Sequence, residues 1–251
     1  MPENFNSNYS RYYDLLYKNK DYKSEAEYIA KLIRSVHPQT KNILELGAGT
    51  GNHAAILCND GFTVTGLERS AEMVAKAKEK KIEGFTPVVG DIQDYSIDQK
   101  FDAVISLFHV ISYLTSNTAL IDCFNTTNSH LNKGGVFIFD VWYTPAVYVQ
   151  GSETRIKKME DDDIEITRLA QPEAHYNLNV IDVNYEIIIQ DKKTRLAEQY
   201  PEKHPMRHFS IPEINLLALL TGFEVIKTEE FLTAANPGEN TWGVCFVLQK
   251  K

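Results

Sequence analysis

The stretch Ile43-Leu44-Glu45-Leu46-Gly47-Ala48-Gly49-Thr50-Gly51 constrains this chain more than any other. An apolar run carries the acid Glu45, and glycines follow at alternate positions, Gly47, Gly49 and Gly51. Glycine has no Cβ and accepts positive φ, so the backbone here can turn tightly and let a ligand press against it. A second apolar run, Phe62, Val64, Gly66 and Leu67, then delivers another carboxylate, Glu68. Strand, glycine turn, helix, strand and acid form the βαβ layout that grips an adenosine, the acid accepting hydrogen bonds from the ribose hydroxyls.

The glycine spacing separates two readings of that adenosine. A dinucleotide fingerprint, G-x-G-x-x-G, brings a pyrophosphate to a helix N-terminus. Here the third glycine comes one position early and Asn52 stands where the dinucleotide pattern wants Gly. An acid at Glu45 would repel a pyrophosphate and suits a ligand that carries an ammonium. The combination resembles motif I of the class I S-adenosylmethionine (SAM) methyltransferases, E/D-x-G-x-G-x-G. Further pieces follow in that family's order. Val88-Val89-Gly90-Asp91-Ile92 reads as a strand stopping at a loop, with Asp91 in reach of the adenine amino group and Ile92 against the ring. Phe101 to Leu107 reads as strand 4, ending at Phe108-His109, and Gly134-Gly135 leads into Val136-Phe137-Ile138-Phe139-Asp140. The resemblance implies a Rossmann-like α/β fold and SAM as cofactor. The set expected around it is Glu45, Gly47, Ala48, Gly49 and Gly51 from the first turn, Glu68, Arg69 and Met73 around the second, Asp91 and Ile92, and Tyr17 and Phe108.

Composition excludes several classes. The chain has 251 residues, 43% of them hydrophobic, enough to bury a full core. A net charge of −8 argues against a nucleic-acid partner, since phosphate binding needs clustered Lys and Arg. Cys58, Cys123 and Cys245 are far apart and show no metal spacing, and read as buried thiols in a reducing cytoplasm. The opening Met-Pro-Glu-Asn-Phe-Asn lacks the apolar core of a signal peptide, and no apolar run approaches membrane-spanning length. The acid run Glu160 to Asp163 lacks the glycine and alternate oxygen ligands of a calcium loop and reads as a solvated turn, so no metal site is expected.

Along the chain, Ala26, Ile29, Leu32, Ile33 and Val36 share one helical face, placing a helix over 24 to 36. Helices are expected over 52 to 59, over 70 to 80 with Ser70 as N-cap, over 117 to 131, and from Pro212 to Leu220, with closing strands near 223 to 230 and 242 to 249. From about 152 the pattern alternates instead: Ile164-Glu165-Ile166-Thr167-Arg168 and Asn179 through Ile188 read as antiparallel strands with one packed and one wet face. The expected architecture is a central, mostly parallel seven-stranded sheet with helices on both faces (1–151 and 204–251) plus an inserted antiparallel β-lobe (152–203).

A narrower resemblance runs almost end to end. Tyr12-Tyr13-Asp14-Leu15-Leu16-Tyr17, Lys20-Asp21-Tyr22 and Glu25-Ala26 are similar to the opening of the TDP-amino-sugar N,N-dimethyltransferases. Phe108 to Leu114, Gly134-Gly135-Val136, Asp140 to Pro145, His204 to Phe209 and Thr221-Gly222-Phe223 match further family segments in order. The resemblance implies SAM-dependent methyl transfer to the amine of a nucleotide-linked deoxysugar, with Tyr13 near the substrate. Tyr13 and Tyr17 read as closing over the methionine portion or the amine, the alternative being core aromatics at helical spacing. The chain departs from the family in three places. The segment 236–243 has no Arg where the family offers one, His109 replaces a small residue, and Asp140 replaces a Glu.

His109, beyond a parallel strand's C-terminal end, is the residue expected to face the methyl, the alternative being a hydrogen-bonded packing histidine. Trp142 and Tyr143 read as a ring platform or as packing. Arg207 reads as a phosphate or carboxylate clamp, or as a surface partner of Glu213 or Glu202. The alternatives are transfer to another small amine or hydroxyl, a nicotinamide-dependent oxidoreductase, and a non-catalytic SAM-binding protein. Exposed strands of the inserted lobe can pair two copies into a homodimer.

Overall fold

The computed structural model describes residues 15–18 and 20–251. Tyr13, and the Tyr12 to Asp14 segment with it, lie outside the described residues.

The helix α1, Tyr22–Val36, forms where the apolar spacing predicts it, with Asp21 as its N-cap accepting from the Ser24 amide. It leads into β1 (Asn42–Leu46), α2 (Asn52–Asn59), β2 (Thr63–Glu68), α3 (Ala71–Glu79), β3 (Phe85–Val89) and β4 (Phe101–Ser106). After a 3-10 turn, Val110–Tyr113, come α4 (Asn117–His130), β5 (Leu131–Trp142) and α5 (Thr144–Gln150). Then follow β6 (Arg155–Glu160), β7 (Ile164–His175), β8 (Val180–Asp191) and β9 (Ala197–Arg207), and the chain closes with α6 (Ile211–Leu220), β10 (Phe223–Glu230) and β11 (Gly243–Lys250). Ser70, Ser116 and Ser210 cap α3, α4 and α6 by accepting from Met73, Ala119 and Glu213 amides.

The strands form a seven-stranded sheet, ordered β10-β11-β5-β4-β1-β2-β3, and a separate four-stranded antiparallel sheet, ordered β6-β7-β8-β9. In the larger sheet only the pairings of β11 are antiparallel. This is the mostly parallel sheet with an added antiparallel lobe that the sequence predicts. Apolar side chains cover both faces. Phe101, Phe124, Phe137, Phe139 and Phe246 pack one side with α4 and α6, while Ile29, Ile33, Ile43, Leu57 and Ile105 pack the other with α1 and α2. Truncating one such Phe costs about 3–5 kcal/mol through lost transfer energy and the cavity left behind.

The lobe sheet continues past residue 203: β8 and β9 stay in register to Val180↔Arg207. Pro201 and Pro205 make β9 read as broken, yet β9 is an edge strand, where a missing ladder N–H is tolerated. The helix α5 was not apparent from periodicity; Pro145 in its first turn, with φ preset for a helix, starts it.

This arrangement positions the site. β1 and β4 are neighbours whose following connections leave in opposite directions along the sheet, so a crevice opens beyond their C-terminal ends. The lobe stands over that crevice.

Candidate active site

One cavity of about 540 Å³ occupies the crevice. Its first wall is the glycine turn after β1. Gly47, Gly49 and Gly51 all have positive φ, at 75°, 55° and 79°. A Cβ on Gly47 would lie 2.6 Å from a Val110 methyl, so both the backbone sign and the space require glycine there. Gly47 and Ala48 amides donate to Leu67 O, tying the turn to β2.

Glu68 ends β2 at the cavity. Its Oε2 accepts from the Gly49 amide at 3.0 Å and its Oε1 from the Ser70 amide at 2.9 Å. Burial pushes its carboxyl up, against the lowering effect of the Ser70, Gly49 and Arg69 amides. With these three amides on the carboxylate, a lone pair remains for a further donor, which a ribose hydroxyl supplies. Asp91 follows β3, its Oδ1 accepting from the Gln93 amide at 3.0 Å. Arg69, Met73, Ile92 and Phe108 also line the cavity. These groups fit an adenosine bearing a ribose diol and an exocyclic amine.

Glu45 is placed differently from the expectation of direct contact. It is 2% exposed and off the cavity wall; its Oε1 lies 3.5 Å from His53 Nδ1, while its Oε2 has no partner among the described residues. His53 is the residue that lines the cavity there, and Glu25 Oε2 holds its Nε2 at 2.8 Å. Burial disfavours the imidazolium, but the bonds to Glu25 and Glu45 outweigh it and raise His53 to about 9. Lys20 pairs with the other Glu25 oxygen. A cation flanked by two carboxylates therefore borders the glycine turn, suited to the paired charges of an amino-acid group. Sequence reasoning missed His53, because one histidine at the start of a helix carries no periodic signal.

His109 caps the 3-10 turn, and it and Phe108 are both left-handed, with φ of 60° and 64°. Its Nδ1 lies 2.7 Å from Asp140 Oδ2, and its amide donates to Asp140 Oδ1 at 3.4 Å. Asp140 is 1% exposed; burial alone would raise its carboxyl, and the charge and hydrogen bonds of His109 hold it below the ordinary range. His109 lines the cavity with Trp142, ring centroids 6.2 Å apart. Tyr17 meets Phe108 edge-on at 5.2 Å, and Lys20 sits 4.2 Å over the Phe108 ring.

The lobe supplies the roof: Arg168 from β7, Tyr185 from β8 and His204 and Met206 from β9. Arg168 lies 4.8 Å over the Tyr185 ring and donates to Tyr17 Oη at 3.5 Å. None of these four was among the predicted site residues, because strand alternation alone does not say which face a second sheet turns toward a ligand.

Gly51, Tyr143 and Arg207 do not line the cavity. A Cβ at Gly51 would lie 2.5 Å from Phe85, so its role is to pack the turn. Tyr143 packs against the aromatic core. Arg207 donates to Glu213 Oε1 at 2.5 Å, Asn117 Oδ1 at 2.9 Å and Thr115 O at 3.2 Å, the ion-pair alternative to a ligand clamp. The glutamate, histidine and aspartate at Glu173, His175 and Asp182 come within metal-ligand range of one another, but the Lys203 ammonium sits on Asp182 Oδ2 at 2.7 Å. All three cysteines are free thiols; Cys123 and Cys245 are buried as expected, whereas Cys58 is only half-buried. No described helix is long and apolar enough to cross a membrane.

Residues 43–135 match a family described as a methyltransferase domain. Over 227 residues the chain is 29% identical to dTDP-3-amino-3,4,6-trideoxy-alpha-D-glucopyranose N,N-dimethyltransferase of Streptomyces venezuelae, covering 89% of this chain and 87% of that protein. A SAM-dependent methyltransferase from Clostridium acetobutylicum superposes with a TM-score of 0.80 at 20% identity, over 96% of each chain. A sugar N-methyltransferase from Streptoalloteichus superposes with a TM-score of 0.81 at 24% identity, over 95% of this chain and 92% of the other. These structural likenesses establish the fold.

Proposed function

We propose that this chain, a SAM-dependent methyltransferase in its domain and fold, transfers methyl to the amino group of a nucleotide-linked amino deoxysugar. One observation carries the reading: a single cavity joins the adenosine-type wall at Glu68 and Asp91 to a roof of Arg168, Tyr185 and His204 from the lobe. That geometry gives two ligands one shared chamber. The matched enzyme of Streptomyces venezuelae, an N,N-dimethyltransferase of a dTDP-linked amino sugar, supports the acceptor class.

When bound, SAM supplies an electrophilic methyl on a sulfonium leaving group. The protein's residues do the rest. Glu68 and Asp91 hold the adenosine, and the His53 region holds the amino-acid end. Trp142 and Phe108 give the acceptor ring an apolar bed and exclude water, which protects the transfer from side reactions. Holding nitrogen and methyl in attack geometry is worth roughly 7–11 kcal/mol. An ammonium has no lone pair, so the acceptor must shed a proton before nitrogen attacks. His109 takes that proton: Asp140 holds Nδ1, which leaves Nε2 as the basic atom. Arg168, in the roof, provides a cation for the substrate phosphates that the segment 236–243 does not.

The enzyme works in a cytoplasmic setting, in keeping with its free thiols. β6, an edge strand exposed along most of its length, offers unpaired backbone groups for contact with a second copy; light scattering reads that state.

The deciding experiment incubates the protein and SAM with a panel of TDP-amino sugars and their hydroxyl analogues, read by mass spectrometry. Gains of one or two methyl increments on amino sugars alone are expected. Methylation of the hydroxyl analogues only, or of neither set with SAM binding intact, would overturn the acceptor assignment.

A further inference from the structure

The chain has two tryptophans, and the fold puts them side by side. Trp142 ends β5 and lines the cavity, whereas Trp242, just before β11, does not. β5 and β11 are antiparallel neighbours in which Gly243 pairs with Trp142, so Trp242 lies one residue beyond the paired position. The two ring centroids are 5.3 Å apart, with planes at 58°. Trp142 also meets the His109 imidazole, at 6.2 Å and 67°. A Cβ on Gly243 would lie 3.5 Å from His109 Cε1, the carbon between the two ring nitrogens. One segment of chain therefore backs both the ring bed and the proposed base.

That segment is pinned at several points. The Phe231 amide donates to Gly243 O at 3.0 Å, and the Tyr143 amide to Trp242 O at 2.9 Å. The buried Thr241 hydroxyl donates to Glu230 Oε2 and accepts from the Gly238 amide, both at 3.0 Å. Gln150, at the end of α5, donates to Asn240 O at 3.2 Å. The two indoles then share an apolar cluster with Val147 and Met206. Inclined aromatic pairs favour centroid separations of about 4.5–7 Å, so both neighbours of Trp142 hold its ring in one orientation.

We infer that Trp242 is a positioning residue for the acceptor: by holding the Trp142 ring beside His109, it sets the plane on which the acceptor's ring rests and so which amine the base reaches. The inference rests on the amine-methylation reading. A sugar ring carries C–H groups on its faces and polar substituents at its rim. An indole face suits the first and leaves the second free to reach His109. A platform fixed in advance spares the acceptor the cost of ordering it on binding. Trp242 itself stands off the cavity, and the cofactor wall at Glu68 and Asp91 belongs to other strands, so its loss acts on the acceptor alone.

The test compares wild type with Trp242→Phe, Trp242→Leu and Trp242→Ala, using steady-state kinetics on a TDP-linked amino sugar, calorimetric SAM affinity, melting temperature and tryptophan emission. Trp242→Leu and Trp242→Ala lack the ring and are expected to raise acceptor KM about tenfold, the upper order of an aromatic pair, with SAM affinity unchanged. Leucine keeps much of the apolar volume, so the comparison stands even if the alanine variant melts at the assay temperature. Trp242→Phe restores a ring and is expected to bring KM back to within about threefold of wild type. In each variant Trp142 is the one tryptophan left. Its emission should shift as acceptor is titrated into enzyme saturated with demethylated cofactor, and Trp242→Leu should need about tenfold more acceptor than Trp242→Phe for the same shift. A wild type active on amines with KM unchanged in Trp242→Leu and Trp242→Ala overturns the inference alone. So does a SAM affinity that weakens in step with KM, which would make Trp242 a general support of the fold. A wild type that methylates no amine overturns the acceptor reading and this inference with it.

Discussion

His109 Nδ1 lies 2.7 Å from Asp140 Oδ2, a contact between the end of one strand and the interior of its neighbour. Two adjacent non-glycine residues, Phe108 and His109, take left-handed backbones to make it. Each such conformation costs of order 1–3 kcal/mol and persists only where the surroundings over-determine it. Here Asp140 grips the imidazole from below, while Tyr17 and Lys20 cover Phe108.

Replacing His109 by Gln removes the proposed proton acceptor and leaves a side chain of similar reach. Turnover is expected to fall about 100-fold, the scale of general base catalysis, with SAM affinity unchanged by calorimetry. Asp140→Asn should lower turnover similarly, because an amide lacks the charge that holds the imidazole. Wild-type turnover in both variants would remove His109 from the chemistry.

Glu68→Ala should weaken SAM binding about 10- to 100-fold, as the loss of hydrogen bonds to a charged acceptor costs about 1.5–3 kcal/mol. The variant also leaves the Gly49 and Ser70 amides without their carboxylate partner. Calorimetric titration with SAM reads the effect, and an unchanged affinity would place the ribose elsewhere.

Gly47→Ala should impair both folding and SAM affinity, since φ is +75° and the new methyl would meet Val110 at 2.6 Å. The penalty for the backbone alone is about 1–3 kcal/mol. Gly134→Ala is the control: φ is +75° there too, but nothing lies within 4 Å of its added Cβ. It should cost less, and thermal melts of the pair separate strain from collision.

His53 makes stability depend on pH. Its folded value, about 9, stands above the unfolded value of about 6.5. The stabilisation it gives is therefore complete below pH ~6.5 and is lost as pH rises through about 9. Melting temperatures should fall across that window, and His53→Gln should flatten the fall.

Arg168→Ala and Arg207→Ala should separate substrate binding from stability. Arg168 lines the cavity, so its loss is expected to raise KM for a phosphate-bearing acceptor with little change in melting temperature. Arg207 joins Glu213, Asn117 and the Thr115 carbonyl, so its loss should lower melting temperature and leave KM near wild type. Steady-state kinetics and melting curves on both variants check this; the reverse pattern would make Arg207 the clamp.

What the chain's order of residues determined by itself is the frame. Alternating glycines after Glu45, the acid at Glu68, the Gly90-Asp91 stop and the apolar strands between them are local patterns, and each is legible because backbone sign, strand period and capping act over a few residues. The edge of the lobe was less legible, since Pro201 and Pro205 look like breaks until β9 is known to lie at a sheet edge. Which polar side chains meet was decided only by tertiary structure. Glu45 lies off the cavity wall beside His53, and Arg207 pairs with Glu213 and is not among the residues lining the cavity. Tyr113 finds His204 across 91 positions of chain. Such pairings depend on how two sheets pack, because burying a polar group is tolerable only when its partner arrives from elsewhere in the fold.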